Sequence, residues 1–437
     1  MWPLALALVL ALAAAAAAPR TDVPASPSCA LNGAPDPDTG RCACFGGWTG
    51  PRCAELAVLP APSDGRFGLH AASTPTWGGG AVFEAGHWHL IVGARAVASA
   101  NDTKTDYPCD SKIVRAVSAG SDVTGPYEIV DTLFERTSWE PSLARGPNGE
   151  LLVMFFGNLS SPPAVGSSAC AMPSLEFNLT TTTTHVSVSA SGSVSGPWSI
   201  PLVARGMENR PRPGVSGYSW NCATGNPGPA YHPNGTLYAA MRMNPCFKGF
   251  ETREHIGLWR ADNGWDGEWT LVNSDTPLYG WGGGSERDCT DSNACPSHED
   301  PHLWWDEHGG GHLLTHWQNN HNIHSSRGAY GWSIDGSPGT WKLETGSDDE
   351  QPLLSNASAW PMDLAFDNGT TVPTARRQRP SLIHDVNTGV PIAVMQGADL
   401  THHPAPAYDK GWCDGCHWGS GFTLIQPLAN GTAGGDE

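Results

Sequence analysis

Short runs in which apolar and polar residues alternate, separated by turns rich in glycine and proline, recur along most of the chain. One such run, 297–305, opens on two carboxylates and an imidazole, turns through the glycines at 309–311, and returns over 312–317. Alternation with a period of two predicts a pair of antiparallel strands joined by a tight turn. Comparable units recur roughly 65 to 90 residues apart and begin at Trp77, Trp139, Asn226 and Arg379.

A second element follows these units. It consists of a strand, a glycine-bearing turn and an aromatic residue that begins another strand, and it occurs at 116–127, 188–198, 258–269 and 331–341. Inner and outer strands in alternation make four-stranded blades, and five blades close a ring. Long patterns with a period of 3.6 residues are missing, whereas 52 glycines and 37 prolines punctuate short strands. The sequence therefore predicts an all-β fold, a five-bladed β-propeller over 67–428.

The N-terminal segment predicts the compartment. Residues 1–18 are apolar and end in small residues, which indicates a secretory signal peptide. Seven Asn-x-Ser/Thr sequons fit a secreted, extracellular glycoprotein. No later apolar run approaches the ~18 residues that cross a bilayer, so no membrane span is expected. Residues 56–66 are predicted to be a proline-bearing linker, and 429–437 a flexible tail.

The cysteines, 12 in number, favour disulfides in an oxidising compartment. Four of them lie in a small disulfide-rich module, 27–55, which closely resembles an EGF-like module with two of that family's six cysteines missing. The resemblance implies disulfides between Cys29 and Cys42 and between Cys44 and Cys53. A C-x-x-C-H pattern at 413–417 formally matches a haem attachment site, but a disulfide there is the favoured interpretation.

The formal net charge of −19 argues against nucleic acid and anionic membranes as partners. Neutral sugars, cationic ligands and calcium remain compatible with this charge. Tryptophan, with 19 residues, outnumbers phenylalanine with 11 and tyrosine with 8. Indole faces stack on sugar rings, but they also pack between blades, and the sequence leaves both interpretations open.

The order of the blade motifs resembles the five-bladed propellers of the arabinanase-like superfamily, which includes family 43 glycoside hydrolases. The motifs that carry the resemblance are 77–79, 118–127, 226–227, 299–301, 333–341 and 379–380. The resemblance implies carboxyl groups at the starts of the inner strands, where one acid protonates the leaving oxygen and another carboxylate activates water or attacks the sugar. In that family the acids come from the first three blades. Here only Glu140, in blade two, falls on a matching kind of position, because the first blade offers Trp77 and glycines and the third offers Asn226.

The candidate catalytic residues are Glu140, Glu299 and Asp300. Glu140 and one of the other two are expected to form an acid and base pair across the cavity. A neighbouring arginine would keep one carboxylate ionised, and a neighbouring carboxylate would raise the pKa of the other. The alternative is structural, since a carboxylate before a proline at a strand start can bond backbone N–H groups and orient the blade. The candidates for ligand binding are Trp77, Asn226, His298, Arg377 and Arg379.

Histidines are concentrated between 298 and 324, which suggests a metal site. His312 and His316 lie about 13 Å apart along a strand, too far for one ion. His316, near the ring centre, is therefore the candidate that joins Asp300 around a metal. The superfamily resemblance makes calcium the metal to consider, and no other cofactor is predicted.

These features predict a secreted carbohydrate-active protein. The first interpretation is a glycoside hydrolase of extracellular polysaccharide that uses paired carboxylates in the propeller cavity. The alternative is a non-catalytic carbohydrate-binding or adhesion protein that kept the ring and lost the chemistry, and the missing first-blade acid favours it. In both cases the partner is a polysaccharide or glycan, while the sugar, the linkage and the oligomeric state are left undetermined.

Overall fold

The computed structural model describes residues 25–71, 74–95, 111–135, 137–159, 183–207, 223–244, 255–273, 278, 296–319, 322–344, 358–374, 376–400 and 421–429. Within these ranges the chain forms five four-stranded antiparallel sheets, which are the blades of a propeller. The all-β, five-bladed fold class predicted from the strand repeat is therefore confirmed.

The N-terminal module consists of short elements held by two disulfides. It contains a 3₁₀ turn (Pro27–Cys29), β1 (Gly33–Pro35), β2 (Cys42–Cys44), β3 (Trp48–Thr49) and β4 (Glu55–Leu56), and β5 (Gly68–Leu69) follows it. The disulfides join Cys29 to Cys42 and Cys44 to Cys53, which is the pairing that the sequence resemblance implied. That the module is EGF-like stays a prediction.

Consecutive strands form the first four blades. Blade one comprises β6 (Thr76–Glu84), β7 (His87–Arg95), β8 (Ser111–Ser118) and β9 (Tyr127–Phe134). Blade two comprises β10 (Ser138–Arg145), β11 (Leu151–Gly157), β12 (Thr183–Ser189) and β13 (Leu202–Val203). Blade three comprises β14 (Ala223–Tyr231), β15 (Leu237–Asn244), β16 (His255–Ala261) and β17 (Trp269–Leu271). Blade four comprises β18 (Pro296–Trp305), β19 (Gly311–Asn319), β20 (Asn322–Ser333) and, after a 3₁₀ turn (Pro338–Thr340), β21 (Lys342–Leu343).

Blade five is completed by a strand from the N-terminal side of the propeller. After a small hairpin, β22 (Leu364–Ala365) and β23 (Thr371–Val372), it comprises β24 (Arg376–His384), β25 (Pro391–Asp399) and β26 (Phe422–Pro427). Its fourth strand is β5, in which Leu69 pairs with Thr423. This pairing closes the ring by joining the two ends of the propeller chain, so the central positions of all five blades are fixed relative to one another.

The apolar core lies between adjacent blades. Ile91 and Ile113 of blade one pack with Val153 and Phe155 of blade two, and all four are fully buried. Burial of a side chain of this size contributes about 1.5 to 3 kcal/mol. Several tryptophans also belong to the core, and for these the packing interpretation holds: Trp269, Trp332 and Trp360 are almost completely buried.

The N-terminal module packs against blade four through an aromatic contact that we call the module junction (Ala30, Trp48, Trp304 and Tyr330). The ring centroid of Trp48 lies 4.9 Å from that of Tyr330 and 6.1 Å from that of Trp304. The Tyr330 hydroxyl donates a hydrogen bond of 2.8 Å to the Ala30 carbonyl. The module is thus part of the packed structure, because its tryptophan shares a core with the blade.

The segment predicted as a linker, 56–66, is bonded to the propeller. Val58 forms a β-bridge with Leu428, and the N–H of Ala61 donates to the carbonyl of Ala365 at 2.8 Å. Such contacts are made by backbone atoms, which every residue has. The side chains of 56–66 therefore could not show that this segment pairs with the propeller.

Several expectations concern residues outside the described ranges. These are the signal peptide, the C-x-x-C-H pattern, the eight cysteines after Cys53 and most of the predicted tail. In the part of the chain that is described, no helix reaches the length and apolar character needed to cross a bilayer.

Candidate active site

The innermost strands of all five blades contain a β-bulge at the same point. At each bulge one residue has a positive φ between 49° and 57°. Four of the five are not glycine, and a non-glycine residue in this conformation costs of order 1 to 3 kcal/mol and tends to occur at functional sites. The five residues, which we call the central ring, are Gly78, Glu140, Asn226, Asp300 and Arg379.

Asp300 is the best-bonded member of the central ring. Its carboxylate accepts hydrogen bonds from the side-chain amide of Asn226, from the backbone N–H of Arg379 at 3.2 Å and from Arg379 Nη1 at 3.3 Å. Its side chain is only 4% exposed. Asp300 therefore links blades three, four and five, and its bonds suit a positioning role better than direct contact with a ligand.

Glu140 is held more loosely. Its Oε2 accepts a hydrogen bond of 3.1 Å from the backbone N–H of Asn226 and lies 3.9 Å from Arg379 Nη1. Because that same nitrogen is 3.3 Å from Asp300 Oδ1, the Glu140 and Asp300 oxygens are at most about 7 Å apart. Glu140 and Asp300, two of the three candidate acids from the sequence, therefore lie near each other on blades two and four. That they act as a pair stays a prediction.

Gly78 explains why blade one contributes no acid to the central ring. A Cβ atom at Gly78 would lie 2.7 Å from Arg379 Cβ and 2.9 Å from its Cδ, closer than such atoms can approach. The Arg379 side chain crosses blade one at this point and continues to the Pro141 carbonyl, to which its Nη2 donates at 3.3 Å. The place of a first-blade side chain is thus taken by an arginine from blade five.

Glu299 precedes the bulge of blade four and is bound by two cationic side chains. Its Oε2 accepts from Arg242 Nη1 at 2.9 Å, and its Oε1 lies 3.2 Å from His316 Nδ1. Arg242, on β15 of blade three, passes Gly225 on the neighbouring strand to reach Glu299. A Cβ at position 225 would lie 3.0 Å from Arg242 Nη2, so glycine leaves room for the arginine side chain. His316 Nδ1 is also 3.5 Å from Asp300 Oδ2, so one imidazole bridges both carboxylates.

These contacts shift the pKa values of the two glutamates in opposite directions. Burial raises the pKa of Glu140, and the charges of Asp300 and Glu299 add to this effect although Arg242 and Arg379 oppose it. Burial alone would also raise the pKa of Glu299, but hydrogen bonds and charges from His316 and Arg242 lower it instead. The surroundings of Glu140 therefore disfavour its charged form relative to water, and those of Glu299 stabilise its carboxylate.

His316 has the complementary shift. Burial alone would lower its pKa, but the adjacent Asp300 and Glu299 carboxylates raise it to about 9. A protonated imidazole between two carboxylates balances their charge in the interior of the ring.

A small cavity of about 20 Å³ lies beside the central ring and opens to solvent. Trp77 and Trp139, which directly precede the bulges of blades one and two, line it together with Glu140. Glu299 occupies the corresponding place in blade four. The residues that line the cavity include Trp77, Arg95, Ser111, Trp139, Glu140 and Arg379.

Two of the residues predicted to bind a ligand lie elsewhere. Arg377 is fully buried inside blade five, where it donates to Gln396 and Gln426 side-chain oxygens and to the Pro361 carbonyl. His298 is also fully buried, with Nδ1 3.1 Å from Thr315 Oγ1. Neither side chain is accessible to a ligand here, because side chains alternate between the two faces of a strand and these two point into their blades.

The sequence interpretation missed Arg242, Trp139 and Arg95. Arg242 had a usable signal, since it is a charged residue inside the otherwise apolar strand 237–243. Such a residue in a buried strand requires a partner. Trp139 had a signal as well, because it begins the repeat unit of blade two as Trp77 begins that of blade one. Arg95 had none, because it falls among ordinary strand residues and only its place at the cavity distinguishes it.

The metal prediction concerned His316 together with Asp300. In the structure these two residues and Glu299 form a group in which each offers a ligand atom within 4.8 Å of the others. Calcium takes six to eight oxygen ligands, whereas this group supplies two carboxylates and one nitrogen. Arg242 and Arg379 already donate to these carboxylates. The residues therefore fit calcium poorly, and no step of the chemistry below is assigned to a metal.

Comparison with solved structures finds propellers of the same kind. A family 117 glycoside hydrolase from the marine bacterium Zobellia galactanivorans aligns with 88% of this chain and 92% of its own at 12% identity and a TM-score of 0.50. A thermostable family 43 glycoside hydrolase aligns with 87% of this chain and 98% of its own at 10% identity and a TM-score of 0.48. An endo-arabinase from Bacteroides thetaiotaomicron aligns with 83% of this chain and 97% of its own at 14% identity and a TM-score of 0.42.

At these identities the likeness to the family 117 hydrolase establishes the fold and nothing finer. Comparisons with protein-family models and with curated protein sequences found no match. The chemistry of the site therefore follows from its own residues.

Proposed function

We propose that this protein is a glycoside hydrolase that uses Glu140 as the general acid and Glu299 as the second carboxylate. The observation that carries the proposal is the different setting of these two groups beside one ring: Glu140 accepts a single hydrogen bond, from the Asn226 backbone N–H, whereas Glu299 is bound by Arg242 and lies 3.2 Å from His316 Nδ1. The opposite directions of their pKa shifts agree with this difference. Both side chains are 12% exposed, so each combines a buried environment with access to solvent. Carboxyl pairs whose environments separate their pKa values are typical of acid and base catalysts.

The reaction balances with these two groups. Glu140 donates its proton to the glycosidic oxygen as the bond from that oxygen to the anomeric carbon breaks, and the bonding electrons stay with the oxygen. A water oxygen bonds to the anomeric carbon, and the proton that it releases passes to the Glu299 carboxylate. Because Glu140 Oε2 accepts from Asn226, Oε1 is the oxygen assigned to carry the proton.

Asp300 and Arg379 are positioning residues in this scheme. Asp300 fixes Asn226, whose backbone N–H orients Glu140, and its negative charge helps to raise the Glu140 pKa. Arg379 ties Asp300 to the ring and keeps the charge of the group balanced.

The experiment measures sugar release from a panel of plant, algal and animal polysaccharides by the wild-type protein and by Glu140→Gln and Glu299→Gln. General acid and base catalysis contributes about 10²- to 10⁴-fold, so each variant is expected to lose activity on that scale. Glu128→Gln, at an exposed position on β9, is the matched control and should keep full activity. Unfolding midpoints close to the wild-type value would show that the variants fold.

The alternative, a non-catalytic glycan-binding protein, is favoured by a different observation. Both oxygens of Glu299 already have cationic partners, Arg242 and His316, and Gly78 stands where blade one could have supplied an acid. Binding to one polysaccharide without release of sugar from any, unchanged by Glu140→Gln, would support this function over hydrolysis.

A further inference from the structure

The sequon at Asn234 lies on the hairpin turn of blade three. In this turn the N–H of His232 donates to the Thr236 carbonyl at 2.8 Å, and the N–H of Gly235 donates to the His232 carbonyl at 2.8 Å. Gly235 has a φ of 88°, which glycine adopts without steric cost. Asn234 is exposed, and its Oδ1 accepts from the Thr236 N–H at 2.9 Å. The amide oxygen is thus engaged by the backbone, whereas no described residue accepts a hydrogen bond from the amide nitrogen.

The sequon at Asn368 lies on a second turn built in the same way, between β22 and β23. The N–H of Phe366 donates to the Thr370 carbonyl at 2.8 Å, and that of Gly369, with a φ of 83°, donates to the Phe366 carbonyl at 2.9 Å. The Oδ1 atom of Asn368 accepts from the Thr370 N–H at 2.9 Å, and this asparagine is also exposed. Two turns far apart in the chain therefore present the same sequon, Asn-Gly-Thr, at the same place.

The sequon at Asn158 has a different setting. Asn158 is only 9% exposed, its N–H donates to the Thr137 carbonyl at 3.0 Å, and its carbonyl accepts from Thr137 Oγ1 at 2.6 Å. An N-linked glycan is bulky and belongs on the surface, so the folded chain leaves no room for one at Asn158. The asparagines of the other four sequons lie outside the described residues.

Blade two contains the same turn without a sequon. The N–H of Gly146 donates to the Glu150 carbonyl at 2.8 Å, and the N–H of Gly149 donates to the Gly146 carbonyl at 3.0 Å. Asn148 is exposed at the tip, where Asn234 and Asn368 stand in the other two turns. Because Glu150 replaces the threonine, this turn separates the effect of turn geometry from that of the hydroxyl.

We propose that Asn234 and Asn368 carry N-linked glycans and that Asn158 does not. The donor is a lipid-pyrophosphate-linked oligosaccharide of the secretory pathway. The asparagine Nδ2 bonds to the anomeric carbon of the donor and loses one proton, while the bond from that carbon to the pyrophosphate oxygen breaks and the pyrophosphate keeps the electron pair. The premise is the secretory route predicted from residues 1–18, and the proposed hydrolysis has no part in it.

The test maps glycans on the full-length chain produced by a eukaryotic cell line. Enzymatic removal of N-glycans in heavy-oxygen water converts each asparagine that carried a glycan into a labelled aspartate, and peptide mass spectrometry locates the label. We expect label at Asn234 and Asn368 in most molecules. Asn158 should be unlabelled because it is buried, and Asn148 because it lacks the hydroxyl that transfer requires.

The variants remove or create a sequon within these turns. Thr236→Ala and Thr370→Ala should each lose the label at the asparagine of its own turn and keep the other. Glu150→Thr should gain label at Asn148, since the third turn then offers the complete motif. Thr388→Ala, in the exposed hairpin turn of blade five, which contains no sequon, is the matched control and should leave the pattern unchanged.

Three results would overturn the inference: no label at Asn234 or Asn368 in the wild-type chain, whether secreted or retained, label at Asn158 in the folded protein, or a Glu150→Thr variant that gains none. The proposed hydrolase fails or stands separately. Asn234 follows the end of β14 whereas the ring residue Asn226 lies near its start, so sugar release by Thr236→Ala should equal that of the wild-type protein.

Discussion

The central ring and the module junction both join segments far apart in the chain, but they do so by different means. The ring is polar, and its members are held in a costly backbone conformation by hydrogen bonds and charges. The junction is aromatic, and Trp48 is buried against Tyr330 and Trp304. The strained, ionisable groups thus lie in the central ring, whereas the module junction stabilises the fold through buried aromatic side chains.

The largest expected effect concerns the junction. Trp48→Ala removes a buried indole, and substitutions of this kind lower the free energy of unfolding by about 3 to 5 kcal/mol. Sugar release per folded molecule should stay unchanged, because Trp48 contacts blade four through Trp304 and Tyr330, away from the ring. Denaturant unfolding and initial rates, measured on the same preparation, check both statements. A loss of activity as large as that of Glu140→Gln would contradict the separation of the two regions.

The next effect concerns the ring. Gly78→Ala places a Cβ against the Arg379 side chain and requires a positive φ of a non-glycine residue, so unfolding free energy should fall by about 2 to 4 kcal/mol. Activity should fall as well, because Arg379 cannot move without disturbing Asp300. Gly86→Ala, in an exposed turn of blade one with open space around its Cβ and a positive φ, is the matched control for the backbone cost alone.

The third effect separates charge from packing in the ring. The folded pKa of His316 is raised to about 9 from an ordinary value near 6.5, so the stability that its protonated form contributes is complete below about pH 6.5. That contribution, up to about 3 kcal/mol, should be lost as the pH rises through 9. Thermal unfolding between pH 6 and 10 should show this decline in the wild-type protein and a flatter profile in His316→Asn. Identical slopes in the two proteins would argue against a charged imidazole.

The smallest effect is expected from calcium. Because Glu299 and Asp300 are already bonded by Arg242, Arg379 and His316, millimolar calcium should shift the unfolding midpoint by less than about 1 °C. Treatment with a chelator should leave sugar release unchanged. A clear stabilisation by calcium, lost in His316→Asn, would restore the metal site that the sequence suggested.

The repeat, and with it the fold, could be predicted from the amino-acid sequence alone. Inner strands with alternating residues, glycine turns and a proline after Glu140, Asn226, Asp300 and Arg379 are local features, and each is readable within one blade. A proline follows the bulge residue in four of the five blades. The position before such a proline therefore identifies Glu140 and Asp300 as candidate acids from the sequence. The pairing of the two N-terminal disulfides came from the resemblance of residues 27–55 to an EGF-like module, and the structure contains that pairing.

Which of those residues meet depends on the tertiary structure. Arg379 crosses Gly78, Arg242 reaches Glu299 past Gly225, and Trp48 docks on blade four, although the partners are distant in the chain. Arg377 and Arg379 are two residues apart in one strand, yet only Arg379 enters the ring, because the bulge turns the backbone between Gln378 and Ser381. Ring closure fixes such encounters, and a pattern within a single blade carries no information about the side chains that the other blades bring to it.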